Sequence, residues 1–279
     1  MAGTWAAGGD LATARVEPGG TGTLTAGLAI AGSGPLTSTE EYNGTAWSAG
    51  GTLGTGRRGS EGAGTQTAGL VFGGFNAVRS TEEYDGTSWS AGGGLAADRD
   101  RHGGAGTQTA GFAYGGISGL SSLNTSEEYD GTSWAAGGTL TTARRYCASA
   151  GTQTAALTCA GYLAVALTSS EEYNGTSWSA GGSVGTSKFA FDGCGSQTAG
   201  LVFGGLSVIA AAEEYDGTSW TATGDLGTPR HSHGGFGTLE LGVAFGGYDA
   251  APKVSTEEYT LTASIITLII YHLRQQGVL

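Results

Sequence analysis

One phrase, Glu-Glu-Tyr-(Asp/Asn)-Gly-Thr-(Ser/Ala)-Trp, recurs five times along this chain: Glu40 to Trp47, Glu82 to Trp89, Glu127 to Trp134, Glu171 to Trp178 and Glu213 to Trp220. A sixth Glu-Glu-Tyr stands at 257–259, and a sixth tryptophan, Trp5, stands apart near the N-terminus. Successive tryptophans are 42, 42, 45, 44 and 42 residues apart. A period of this size constrains the fold more than any other property of the chain. Each unit must be one supersecondary module that buries its apolar face against its neighbours. The 55 glycines would read as low complexity if they were scattered, but they recur on the same period.

Each unit reads as four short strands. In the second unit, a small-residue strand around Gly62–Thr65 is followed by the apolar run Leu70-Val71-Phe72, which Gly73-Gly74 ends. Ser80–Tyr84 and Thr87–Ser90 follow as the third and fourth strands. Between them, Asp85-Gly86 predicts a tight hairpin of type I′, with positive φ at both central residues. Four strands in some 42 residues is the size of a propeller blade. The smallest side chains sit in the first strand, where a crowded axis demands them. Tyr and Trp, on the outer strands, have the bulk to fill the widening gap between blades. The predicted fold is therefore all-β: a six-bladed propeller of four-stranded antiparallel blades over residues 1–260, with 261–279 as a tail outside the repeat. The last unit lacks its turn glycine and its tryptophan, and Ala2–Trp5 is the missing piece. The N-terminal strand is thus expected to complete the last blade, leaving no long open edge.

The order Gly73-Gly74, Tyr84, Trp89, Arg99, repeated through the chain, resembles that of kelch repeats. Ala31-Gly32 and Ala160-Gly161 depart from it by replacing the Gly-Gly pair. The wording Thr-Glu-Glu-Tyr-Asp-Gly-Thr-Ser-Trp, with Gly-Thr-Gln-Thr-Ala-Gly, is also similar to kelch-like repeat proteins encoded by marine bacteriophages. That resemblance implies a virion fibre, decoration or host-recognition component, located on a virion or outside the cell.

A net charge of −12 argues against nucleic acid, whose binding needs clustered Lys and Arg. Twelve of the 24 carboxylates sit in the six Glu-Glu pairs. One cation recurs in each link between units: Arg15, Arg57, Arg99, Arg144, Lys188 and Arg230. These six are read as a structural ring, each cation paired with one Glu. Adjacent residues of a strand face opposite ways, so the other Glu of each pair is expected in solvent. Cys147, Cys159 and Cys194 lack the spacing of a zinc site or a disulfide framework and are expected as buried thiols. No signal-peptide pattern opens the chain, and Ile265–Tyr271 is too short to span a bilayer. A cytoplasmic location is the alternative.

The first-to-second and third-to-fourth turns are nearly uniform among the units, whereas the other connections vary. Variable loops on a rigid scaffold are where recognition residues collect. The candidate ligand-binding face is therefore the varied one, carrying Phe75, His102, Tyr146, Tyr162, Phe189, His231, His233 and Tyr248. No nucleophile elbow, P-loop or His-Glu-x-x-His occurs, and a catalytic acid–base pair would be singular rather than six-fold. The expectation is a non-enzymatic binding or structural protein with no cofactor and no resident metal. Its expected partner is a surface glycan or a protein, with the C-terminal tail meeting other virion subunits. A cellular or secreted lectin-like or protein-interaction propeller is the alternative. The weakest reading is a copper-dependent oxidase of the kind kelch-like propellers include, for which His102, His231 and His233, with Cys147 and Cys194, are the candidate ligands.

Overall fold

The computed structural model describes residues 2–76, 78–207 and 209–261. Among the described residues there is no helix, and hence none long and apolar enough to cross a membrane. Among the described residues the strands form six four-stranded antiparallel sheets arranged as a propeller, with a two-stranded ribbon, Ile117–Ser118 against Ser121–Ser122, in the third blade's loop. In the second blade they are Glu61–Thr65, Ala68–Phe72, Thr81–Tyr84 and Trp89–Ala91. Their register sets Glu61 against Phe72, Gly69 against Tyr84, and Tyr84 against Trp89. The sixth blade is built from Gly234–Gly237, Leu241–Phe245 and Thr256–Thr260, and its outer strand is Thr4–Ala7. There Trp5 lies opposite Tyr259 and Thr4 opposite Thr260. The innermost strands neighbour one another around the axis, and Gly234–Gly237 lies beside both Asp192–Ser196 and Gly19–Thr23. Of the predicted tail, 262–279 lies outside the described residues; Leu261 donates its N–H to Glu240 O at 3.0 Å.

Glycine makes this axis possible. A Cβ on Gly62 would stand 2.8 Å from Gly20 O, and one on Gly20 would stand 2.7 Å from Gly235 O. Outward from the axis the blades diverge, and the core sits in the gaps between them. One such cluster joins Leu28, Ile30 and Leu53 to Val71 and Tyr84, with Trp89 packed against it. Each outer-strand tryptophan leans on the preceding blade: Trp134 is 5.0 Å from Phe72, and Trp5 is 4.9 Å from Phe203. Such pairs add directional attraction to area burial.

Polar staples hold each blade to its own link and to its neighbour. Glu82, buried, accepts Gly54 N at 2.6 Å, Thr55 N at 3.2 Å and Arg57 Nη2 at 2.6 Å. Arg57 Nη1 then donates to Gly73 O and Ser80 O, fastening both ends of the loop between the second and third strands. The same ion pair recurs as Arg15–Glu40, Arg99–Glu127, Arg144–Glu171, Lys188–Glu213 and Arg230–Glu257.

The second glutamate of each pair departs from the sequence expectation. It is not left to water; it accepts a hydrogen bond from the tyrosine of the following blade. Tyr84 Oη reaches Glu41 and Tyr129 Oη reaches Glu83, both at 2.6 Å, and Tyr42 bonds Glu258 between the first blade and the sixth. Alternation does send the two carboxylates to opposite faces of the blade, but in a ring the second face meets a neighbour.

The third-to-fourth turn also differs from its prediction. Gly86 has φ 91°, while Asp85 is not among the residues with positive φ. Instead, Asp85 Oδ1 accepts Thr87 N at 2.8 Å and Ser88 N at 2.7 Å, giving a four-residue Asx-stabilised connection rather than a two-residue type I′ turn.

Candidate binding site

Antiparallel pairing brings the uniform turns out on one face of the disc and the varied connections out on the other. On the uniform face, Gln66 Nε2 donates to Gly27 O and Tyr42 O of the blade before it, both at 2.9 Å. Gln108, Gln153 and Gln197 repeat this stitch. The face also carries exposed Asp85, Asp130, Asp216 and Glu240. On the varied face, short bridges tie loop to link, as at Leu36–Arg57, Arg145–Tyr162 and His231–Tyr248. Among the described residues, every cation outside the six staples lies here: Arg58, Arg79, Arg101, Arg145 and Lys253. So do Leu120, Leu163, Val165, Leu206 and Val254, five of the six large apolar side chains left exposed among the described residues; Leu120 is 97% exposed. Net charge hides this asymmetry.

A ring of main chain surrounds the axis on the varied face. Glu17, Gly59, Arg101, Tyr146, Ala190 and Ser232, one from each link, all have φ between 51° and 59°. Each donates its N–H to the carbonyl of the ring residue before it, from Gly59 N to Glu17 O at 3.0 Å round to Glu17 N to Ser232 O at 2.7 Å. Left-handed backbone is costly for the five that are not glycine. Six hydrogen bonds, joined head to tail, hold it in place, and the side chains project from the rim.

Above this rim lies a bowl of about 420 Å³, lined in part by Glu17, Arg58, Tyr146, Phe189, His231 and Tyr248. Arg101 Nε donates to Glu17 Oε1 at 2.9 Å, and Arg58 Nε stands 3.9 Å from Glu17 Oε2. Both guanidinium groups also cover Phe75, Arg58 at 4.1 Å and Arg101 at 5.5 Å from its centroid. Phe189 is 6.1 Å from Tyr146 and 5.0 Å from Tyr162, Arg145 covers Tyr162, and His231 is 5.5 Å from Tyr248. Burial lowers the pKa of His231, which keeps that imidazole neutral near pH 7.

Six of the eight residues singled out from sequence thus lie half-buried around this bowl or beside it. His102 and His233 do not. Both are buried, His102 stacked on Phe72 and His233 packed against Phe203. His102 Nδ1 lies 3.0 Å from Gly103 O and its Nε2 lies 3.2 Å from Phe72 O. Burial pushes the two imidazoles down to about 4 and about 3. They sit three residues after a stapling cation, one position past the rim, where the chain has turned inward. They are buried histidines that line the throat beneath the rim rather than the exposed face.

Among the described residues no three of His, Cys, Asp or Glu converge to hold a metal ion, and Cys147, Cys159 and Cys194 are buried free thiols. Among the described residues the donor set does not fit a copper centre.

Below the rim a throat of about 50 Å³ leads to the axial channel, and both are lined by Glu61 and Asp192. These carboxyls open the innermost strands of the second and fifth blades, on opposite sides of the ring. The enclosing protein raises Glu61 well above the usual carboxylate range, with the charge of Asp192 adding to the effect. Burial brings Asp192 to about 7, although the N–H groups of Gly193 and Gly235 pull the other way.

Sequence reasoning missed Glu17, Arg58, Arg101, Glu61 and Asp192. For Glu17 and Arg101 the available signal was variability within the chain: the position two residues after each stapling cation reads Glu, Gly, Arg, Tyr, Ala, Ser.

The sequence matches no protein-family model, and no curated protein matches it.

Proposed function

We propose that this protein is a non-enzymatic recognition propeller of the kelch type, contacting a surface glycan or a protein through its varied face. One observation carries the reading: two faces of one disc differ in chemistry, with the exposed apolar side chains and unstapled cations concentrated on the varied one. Surfaces that bind are marked by apolar exposure beyond what solubility needs, and by Arg and aromatic side chains at their centre. The paired glutamates and the stapling cations, the most repeated ionisable groups, are committed to holding blades together. The setting we propose is a virion, as a fibre, decoration or host-recognition component, in keeping with the phage-like wording of the repeat. The aromatic bowl favours, as second reading, a lectin-like propeller of a cell.

The test is binding of labelled protein to cell envelopes of candidate hosts. Substituting Leu120→Ser, Arg145→Ser and Tyr248→Ala together is expected to abolish it, and Asp85→Asn with Asp130→Asn on the uniform face to leave it unchanged. The reverse pattern would place recognition on the other face and sink the proposal.

A further inference from the structure

The bowl narrows the class of ligand. Its floor offers no main-chain hydrogen bonds to a peptide, because the N–H and C=O groups of the rim are joined to one another. Strand addition, the usual way to hold an extended peptide, has nothing to pair with here. An anion finds little excess positive charge, since Arg101 is met by Glu17 and by Asp100, and Arg58 leans toward Glu17. What the lining does offer is aromatic walls, Phe189 and Tyr146 on one side and Tyr248 on another, with short polar groups between them. Glu17 is fixed by Arg101 as a planar acceptor. His231 Nδ1 is engaged with Ser232 Oγ at 3.1 Å, which leaves its Nε2 to face a ligand, and the Ser33 hydroxyl, donating to Val16 O, can still accept.

Alternating C–H faces and hydroxyl edges are the surface chemistry of a sugar ring. Resting on the proposal that the varied face is the binding face, we infer that the bowl holds a neutral pyranose at the end of a glycan, its C–H faces against Phe189 and Tyr248 and its hydroxyls bonded to Glu17, His231 and Ser33. Specificity would come from the polar groups and most of the affinity from the aromatic walls.

The experiment is calorimetric titration of the full chain with methyl glycosides of neutral hexoses and with the matching uronic acids, alongside an array of neutral and acidic glycans. A neutral glycoside is expected to bind. Phe189→Ala or Tyr248→Ala should weaken it by about tenfold or more, as loss of a central aromatic anchor does. Tyr248→Phe, which keeps the wall and its packing, should weaken it far less; Asp130→Asn, on the uniform face, should not weaken it. Melting curves show whether each variant is folded. Binding of uronic acids in preference to neutral sugars would overturn the inferred class while leaving the face intact. Absence of binding to any saccharide would overturn the inference outright. The envelope-binding assay with Leu120→Ser and Arg145→Ser then decides separately whether the varied-face reading falls too.

Discussion

Arg57 shows how one side chain serves two ends: its charge meets Glu82, and its second nitrogen ties Gly73 and Ser80. A buried ion pair gains little over a well-packed apolar pair, but removing one partner strands the other. Arg57→Met is therefore expected to destabilise by about 3–5 kcal/mol in urea unfolding. The fifth blade carries an internal control. Lys188 replaces arginine there, and Ala211 replaces the Ser or Thr whose hydroxyl meets the guanidinium at Ser38, Ser80, Thr125, Ser169 and Ser255. The two changes go together because an ammonium cannot reach that hydroxyl while it holds the carboxylate. Lys188→Arg with Ala211→Ser should stabilise by more than the sum of the single changes, with a coupling of about 0.5–3 kcal/mol in a double-mutant cycle.

Asp192 makes stability depend on pH. Its folded pKa, about 7, lies above the ordinary carboxylate value, so the folded state keeps a proton the unfolded chain releases. That contribution is complete at low pH and is lost as pH rises from the ordinary value through about 7. His102 and His233 act oppositely: each is held neutral in the fold, and their contribution is lost as pH falls below the ordinary imidazole value toward about 4 and about 3. The terms oppose one another across the mildly acidic range, so the test is a difference. The advantage of Asp192→Asn over wild type in melting temperature should be clearly larger at pH 8 than at pH 5. An offset that does not change with pH would refute the raised pKa.

At the scale of the element, the innermost strand is the most constrained. Its glycines permit neighbouring strands to approach around the axis, and a methyl at Gly62 would press on Gly20 O. Backbone cannot yield as the end of a flexible side chain can, so Gly62→Ala is expected to cost about 1–3 kcal/mol in thermal or denaturant unfolding. A neutral result would mean that the axis has slack. Strand positions were legible because alternation, small residues and turn glycines are local signals. The form of the Asp85-Gly86 turn was not, because the same dipeptide serves a type I′ hairpin and an Asx turn. What separates them is where the flanking strands resume pairing, here at Tyr84 and Trp89.

For the whole molecule, continuity of the ring is the governing property. The sixth blade receives Trp5, whose Nε1 donates to Gly224 O at 2.9 Å, and Gly3 N reaches Thr223 Oγ1 at 2.9 Å. Removing residues 2–9 takes away this strand and uncovers Phe203 and Tyr259, which Trp5 touches. The shortened chain is expected to melt about 10 °C or more lower and to lose a single cooperative transition, since each kcal/mol is worth a few degrees in a chain of this size. An unchanged melting curve would show that the ring does not depend on its N-terminal strand.

The sequence by itself determined the number of blades, the four strands in each, the stapling cations and the face that varies. These follow from periodicity, alternation and turn chemistry, which act over a few residues and repeat six times. Only the tertiary structure decided what the next blade places opposite each group. It gave the second glutamates a tyrosine, turned His102 and His233 inward, and set Glu61 across the axis from Asp192. It also joined six links, each variable in sequence, into one rim of main-chain hydrogen bonds. The physical reason is the same in each case: a buried polar group is defined by its partner, and in a ring that partner comes from another blade.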